Sequence, residues 1–363
     1  MAVLDFIVRH RRLLVIALVL ALSLALVLTE LSRMSTLSET LTAQRMAYRW
    51  AGSSTERFAQ VSGFIPSSAN ITEEPIFALR QTITRRLAEV SLEPAEGASL
   101  WIDAYSATAK LRVTGNRAGA DVTAIGAGGN YFKFHPLRLR SGSYFAADDL
   151  MQDRVVIDYE LAWRIFGAHD VAGMSVQIGS EEFIVAGVVE REQDFASKLA
   201  YPLDGGLYLP LEALRRLAQG DVSITCYELV MPDPISGFAE SIVRDNLKID
   251  GIEVVENSSR FKLSAIFELL RGLDRRVMRQ REVAYPYWEN AARVIEVHMA
   301  QALLLAIIGA VLPAIALLIA LRIALRALRR RINLRRTFER AQDFVNRRVR
   351  RRSRTTRRKA QRK

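Results

Sequence analysis

The sequence predicts an α+β fold in which two transmembrane helices flank an extracytoplasmic domain. That domain is read as a split ferredoxin-like layer with an inserted β-rich lobe, raised on helical stalks. Three observations carry this. Charge-free apolar runs stand at residues 13–28 and 302–321, two β-α-β patterns at 57–115 and 222–257, and glycine-punctuated short strands between them at 116–221.

The first run continues through Thr29 and follows Arg9, Arg11 and Arg12. Its 17 residues span about 25 Å as a helix, the short end of what a bilayer needs. No small-x-small cleavage pattern follows, so a retained signal-anchor is expected rather than a removed leader. The second run is twenty residues long and is followed by Arg322 and a dense basic stretch. Both cationic flanks point away from residues 30–301, which places both termini in the cytoplasm and the middle outside. Residues 1–12 are then a short cytoplasmic terminus and 322–363 a cytoplasmic tail.

Charge supports the division. Residues 322–363 hold 19 Lys and Arg against two acids, a net of +17, and residues 1–29 carry a net of +2. Against the chain's +12, this leaves about −7 for residues 30–321. The middle is mildly acidic, without general attraction for nucleic acid. The single cysteine, Cys226, can form no internal disulfide; a buried thiol is expected, a reactive or intermolecular one the alternative.

In chain order, residues 30–56 form a stalk helix with a seam at Met34, Leu37, Leu41 and Tyr48. A strand at 57–65, a helix from about 70 to 90 and a strand at 100–113 make the first β-α-β half. Short strands are expected at 122–125, 154–157, 175–178 and 182–188, with one helix at 159–166. Strand 224–231, helix 235–248 and strand 252–256 make the second half, and the two halves combine into one ferredoxin-like layer. Asn257, Ser258 and Ser259 are read as the cap of a stalk helix whose seam is Leu263, Ile266, Leu270, Leu273 and Val277. The stalk region is 258–301. Pro286 opens a second helix that runs into the second span, with Glu289 and Arg293 as an i,i+4 pair. Tyr285, Tyr287 and Trp288 are expected to pack against the lobe. Pro313 removes a backbone donor inside the span, which predicts a kink near Gly309 and makes Pro313 a hinge candidate.

Residues 122–190 carry a series of motifs. Tyr131-Phe132 comes first, then Arg140-Ser141-Gly142-Ser143-Tyr144-Phe145, then Leu161-Ala162 with Phe166-Gly167. Gly173, Ile178-Gly179 and Val185-Ala186-Gly187-Val188-Val189 follow, and Leu207-Tyr208-Leu209-Pro210-Leu211 continues the order. The series resembles the periplasmic core domain of MacB-like ABC transporter permeases, within the FtsX-type group. The resemblance implies a porter-like layer with an inserted lobe, and coupling of cytoplasmic ATP hydrolysis to movement outside rather than catalysis. It implies partners: an ABC ATPase subunit that binds ATP, a second permease subunit and, as an option, a homodimer. Members of that group have four spans, so this chain is read as a two-span variant completed by a partner.

Catalytic signatures are missing from the sequence. It has no GxxxxGK[ST], no HExxH, no GxSxG and no paired His/Cys spacing. Gly126-x-Gly128-Gly129 precedes an aromatic segment and is read as turn glycine. Asp148, Asp149 and Asp153 are read as solvated acids, with weak cation binding the alternative. The chain is expected to be no enzyme and to hold no cofactor or metal. In the tail, Arg329, Arg330, Arg331, Arg335 and Arg336 accompany an apolar stripe at Leu334, Phe338, Ala341 and Val345. This suits a helix on the anionic inner leaflet. Docking on a cytoplasmic partner and nonspecific nucleic-acid binding are the alternatives there. From Asn346 onward, disorder is expected. The function expected is that of a non-catalytic permease-like subunit; the alternative is a membrane-anchored binding or scaffold protein.

Overall fold

The structure, a computed structural model, describes residues 2–360 except 93, 95–97, 147–148, 219–221, 273–278 and 281–282. Side chains are described within 14–272 and 283–329. The chain forms two compact units, residues 32–303 and residues 1–31 with 304–363.

The chain enters through α1 (Ala2–Thr40), a 3-10 turn at Thr42–Arg45 and α2 (Met46–Ala51). The first β-α-β half is β1 (Phe58–Phe64), α3 (Glu74–Glu89) and β2 (Ile102–Thr114). The insertion begins with β3 (Gly119–Gly129), α4 (Tyr131–Phe134) and β4 (Arg138–Gly142). It continues through β5 (Arg154–Asp158), α5 (Tyr159–Phe166), β6 (Ser175–Ile178) and β7 (Glu181–Glu190). α6 (Phe195–Ala200), β8 (Leu207–Pro210) and α7 (Leu211–Leu217) close it. The second half is β9 (Cys226–Pro232), α8 (Phe238–Asn246) and β10 (Glu253–Glu256). Then come α9 (Leu263–Leu270), β11 (Arg279–Gln280), β12 (Val283–Ala284) and the 74-residue α10 (Tyr287–Ala360).

In the unit 32–303, ten strands form one sheet in the order β10-β1-β9-β2-β3-β8-β5-β7-β4, with β6 against β2 and β7. Each of the first four is antiparallel to its neighbour, the ferredoxin-like arrangement that two interleaved β-α-β halves produce. The insertion carries this sheet onward instead of starting another. β2 pairs with β9 over Ile102–Ser106 and with β3 from Ala104 to Thr114. Strand alternation assigns the faces. Ala59 and Val61 of β1 join Leu79, Ile83 and Val243 of α3 and α8 in the main core. Gln60, Ser62 and Phe64 point the opposite way, toward the Ala43 carbonyl and the start of α2, Asn257 and Tyr285 respectively.

Two motif glycines, Gly142 and Gly187, sit opposite each other in β4 and β7. Gly142 has φ +73°, and a Cβ there would lie 2.0 Å from the Ala186 carbonyl oxygen. Only glycine meets both demands.

Several expectations need correction. Tyr48 is 72% exposed and leaves the seam that Met34, Leu37 and Leu41 keep. Asn257 and Ser258 do not cap α9: Asn257 Nδ2 donates to Ser62 Oγ, and Ser258 Oγ accepts from the Gln60 amide. The cap position is Lys262, without a side-chain bond. Gly126, Gly128 and Gly129, read as turn glycines, lie inside β3 paired with β2, and the aromatic segment after them forms the one-turn helix α4. The backbone is helical to Ala360, where disorder was expected; arginine is a good helix former and sustains it.

In the unit 1–31 with 304–363, Leu18, Leu22, Leu28, Leu317, Leu318 and Ile323 are exposed. Two helical stretches are long and apolar enough to cross a membrane, Leu14–Thr40 and Tyr287–Arg329. Only 6% and 22% of their apolar windows are buried, unlike a soluble core helix. α10 continues through Pro313. At Gly309 the two apolar helices meet: a Cβ there would stand 3.2 Å from both Leu26 Cδ2 and Val27 Cγ2. Small residues permit such close approach in lipid.

Candidate coupling site

Within the unit 32–303, the first turns of α10 present Glu289, Arg293 and Glu296 at spacings of four and three, one helix face. Ala292, Ile295 and Met299 of the same helix are buried beside them. Charges on such a face persist only when paired, and here they are. Arg260, on the turn after β10, grips Glu289 with both terminal nitrogens, at 2.7 and 3.0 Å. Its Nε donates to Glu296 Oε1 at 3.0 Å, and Nη1 also reaches Gln44 and Asn257, both at 3.2 Å. Arg293 donates to Glu289 at 2.9 Å and to Glu253 of β10 at 2.9 Å. The Arg293 guanidinium lies 3.6 Å above the Tyr285 ring, whose hydroxyl donates to Glu253.

The network extends through β1. Gln60 Nε2 donates to the Ala43 carbonyl at 2.7 Å, and its Oε1 accepts from the Met46 amide at 2.9 Å. One set of bonds thus ties α2, β1, β10, the 257–260 turn and α10. The side chains of Arg260, Glu289, Glu296 and Arg293 are no more than 7% exposed. Burial pushes the Glu289 carboxyl up, but Arg260 and Arg293 outweigh it and hold it below its ordinary value. Burial lowers Arg260, and Glu289 and Glu296 more than reverse this. Tyr285 is pushed up to about 12, by burial first and then by its bond to Glu253.

A second contact joins α10 to the insertion through aromatic rings. Trp288 lies 4.2 Å from His135 and 5.8 Å from Tyr131, and Tyr287 lies 4.6 Å from Tyr201. His135 Nε2 meets Glu228 Oε2 of β9 at 2.5 Å, both side chains buried. A third is apolar: Met34 and Leu37 of α1, Leu41 just after it, Ile266 of α9 and Ala196 of α6 pack with Ala291, Ala292, Ile295 and Met299.

The residues expected to form the site are distributed as follows. Ile266 is fully buried in the apolar contact and Leu270 packs at its edge. Leu263 is 56% exposed and stands outside it, a correction: it is the first residue of the two-turn α9, at the end of the helix rather than within a sustained seam. Leu273 and Val277 lie outside the described residues. Glu289 and Arg293 pair as read, but inside a network whose centre, Arg260, the sequence reading missed along with Glu296 and Glu253. Tyr287 and Trp288 pack against the insertion as expected, whereas Tyr285 packs on Phe64 of β1 and under Arg293 instead. Pro313 lies within α10, and Arg329 is exposed. The side chains of Arg330, Arg331, Arg335 and Arg336 lie outside the described residues. Asp148 does too; Asp149 pairs with Arg154 at 3.7 Å. Among the described residues no group of three His, Cys, Asp or Glu is placed to hold a metal ion. Cys226 is buried, and burial pushes its thiol well up.

The family model of the MacB-like periplasmic core domain matches residues 13–237. Among solved structures, the chain is similar to the periplasmic region of MacB from Actinobacillus actinomycetemcomitans, at 18% identity and TM-score 0.40, covering 59% of this chain and 92% of that one. It is similar to the extracellular domain of the noncanonic ABC-type transporter YknZ from Gram-positive bacteria, at 16% identity and TM-score 0.38, covering 54% and 99%. A domain of a putative permease protein from Porphyromonas gingivalis aligns at 14% identity and TM-score 0.30, covering 55% and 88%. No curated protein matches the chain. The family match takes in the first apolar helix, the β1-α3-β2 half, the whole insertion and β9, more than half of the sequence. The chain therefore belongs to the MacB-like periplasmic core domain family.

Proposed function

We propose that the chain is the non-catalytic, permease-like subunit of an ABC-type transport or mechanotransmission complex. In this reading both termini lie in the cytoplasm, and α10 relays the motion of a partner ATPase, which alone binds ATP, to the outer domain. The observation that carries it is the buried Arg260–Glu289–Arg293–Glu296 network. It fixes the first turns of a helix that also supplies an apolar span to the strands of a MacB-like domain. Ion pairs of this kind, held by several bonds each, fix a register more than they add net stability. A register-fixed helix moves its sheet with it.

The test is purification of the tagged full chain from its native membrane in mild detergent. An ATPase carrying a P-loop, together with a second permease subunit or a second copy, is the expected companion. Recovery without an ATPase leaves the membrane-anchored scaffold as the reading. Protease applied to intact cells should cleave within residues 32–303 and spare the basic tail; the reverse pattern overturns the orientation. Pro313→Ala restores a backbone donor in the span. If Pro313 is the hinge, the variant keeps its fold and thermal midpoint but loses transport several-fold; unchanged transport removes the hinge.

A further inference from the structure

β2, 13 residues long, is incompletely covered on one side. The Gly115 amide donates to the Ala118 carbonyl, and the Asn130 amide to that of Asp103. The odd-numbered residues of β2 therefore turn their amides and carbonyls to β3, and the even-numbered ones face β9 and β6. On that second side the Ser106 carbonyl accepts from the Thr225 amide and the Arg112 carbonyl from the Gly179 amide. Between these two bonds, the amides and carbonyls of Thr108 and Lys110 have no hydrogen-bond partner among the described residues. β9 and β6 both run antiparallel to β2, so they form one interrupted row. The chain leaves that row at each end of the gap. The Ile224 amide donates to the Ile71 carbonyl instead, and Gly179 turns at φ +59°. The interval from Ser106 to Arg112 is about 20 Å, room for a strand of about four or five residues.

A cleft of about 650 Å³ opens on this gap, the size of an ordinary ligand site. Residues 108–112 line it consecutively, as the edge of a strand does and its face does not. Its inner side is apolar, with Ala109, Leu217 and Val222 packed against the main core. Its outer side carries Thr108, Lys110 and Arg112, all exposed. Arg112 pairs with Asp121, whereas Lys110 is in no ion pair among the described residues. We propose that the gap receives an extended, acid-bearing segment of a partner protein, added as a strand beside β2. Main-chain bonds to Thr108 and Lys110 hold it, alternate apolar side chains turn inward onto Leu217 and Val222, and a carboxylate meets Lys110. Lysine on an open edge also discourages pairing between whole sheets. Here the cleft and the two bracketing strands add what a merely guarded edge lacks, a bounded space of one short strand's length. The inference goes beyond the transport role and rests on the sheet alone, whatever drives α10.

The probe is a synthetic peptide of about seven residues alternating valine and glutamate, titrated onto the full chain in detergent. Saturable binding is expected, with hydrogen exchange at the Thr108 and Lys110 amides slowed about tenfold or more. Thr108→Pro removes only the amide that faces the gap, a place where a strand tolerates proline. It should weaken binding about tenfold while the thermal midpoint of the protein stays nearly unchanged. Two modified peptides make the same test on the unaltered chain. Methylating one alternate set of peptide amides should abolish binding and methylating the other should spare it, because only one set faces β2. Lys110→Glu should reverse the preference, from the glutamate peptide to its lysine counterpart. Absence of binding overturns the proposal, as does binding indifferent to Thr108→Pro and to both methylations. Slow exchange at the two amides without peptide overturns it too: in a monomer the chain's own residues would fill the gap, and in a dimer a second copy would.

Discussion

Arg260→Met should destabilise the outer domain by about 3–5 kcal/mol, read as a lowered denaturation midpoint of the full chain in detergent. Methionine approximates the length of the arginine stem and keeps its packing, so the loss isolates the charge. Removing the guanidinium deprives Glu289 of two bonds and Glu296 of one, and breaks the links to Gln44 and Asn257. Glu289 keeps Arg293 but remains buried with less compensation. A carboxylate in that position takes up a proton, so the variant should be less sensitive to acid than the wild type, though weaker at neutral pH. The sign follows from Glu289, whose folded-state value is depressed. Its stabilisation is present above the ordinary carboxylate value and lost as pH falls through the depressed one. Adding Glu289→Gln to Arg260→Met should cost less than the two single changes summed, by roughly 1–3 kcal/mol, because both remove the same interaction. Additive costs in that double-mutant cycle would show that the pair is not energetically linked.

Gly142→Ala should lower stability by about 2–5 kcal/mol. Two separate penalties combine: a side chain in the left-handed region costs about 1–2 kcal/mol, and overpacking a filled position adds about 1–3. Here the Cβ would stand 2.0 Å from the Ala186 oxygen and 2.8 Å from the Gly187 Cα, both backbone atoms of the paired strand. Neither can swing aside as a side-chain tip does, so β4 must separate from β7. The expected readout is a lowered midpoint with faster amide exchange in residues 138–142 and 184–189. Gly173→Ala is the comparison: its φ is +87°, yet nothing lies within 4 Å of the added atom. It should show the backbone penalty alone. Equal losses at the two positions would mean that the close approach of β4 and β7 carries no weight.

Much of the scaffold was legible because its signals are local. α5 and β6 fall at residues 159–166 and 175–178 as read, the first with Asp158 accepting from the Leu161 amide as its cap, the second by alternation. β1, β2, β9 and β10 lie within a few residues of their expected bounds, and their alternation made the ferredoxin-like order inferable. β4, α6 and α7 were not read from pattern. β4 carries Arg138, Arg140 and Ser141 at the margin of the sheet, so its hydrophobic rhythm is faint, while α6 and α7 are too short to show a period.

The coupling site divides the same way. Glu289 and Arg293 are visible as an i,i+4 pair, a relation internal to one helix. Arg260 meets Glu289 across 29 positions and Gln44 across 216, and no local pattern encodes such meetings. One signal was available. Glu289, Arg293, Glu296, Ala300 and Leu303 form a single 4-3-4-3 row, so three charges occupy the upper end of a stripe that is apolar below. Charges inside a packing stripe announce hidden counter-ions. The reading of α9 failed for a related reason: Leu263 fits the rhythm, but rhythm is blind to where a helix ends.

The shared strand β2 has a consequence for anyone trimming this protein. Residues 107–114 find their partners in β3, and at the tip in β6, while β9 reaches only to Ser106. A shortened chain joining residue 115 directly to 222 would not be a tidy miniature. It would leave half of a long ribbon with bare amides and carbonyls along one side, the kind of surface on which separate molecules zip together into aggregates.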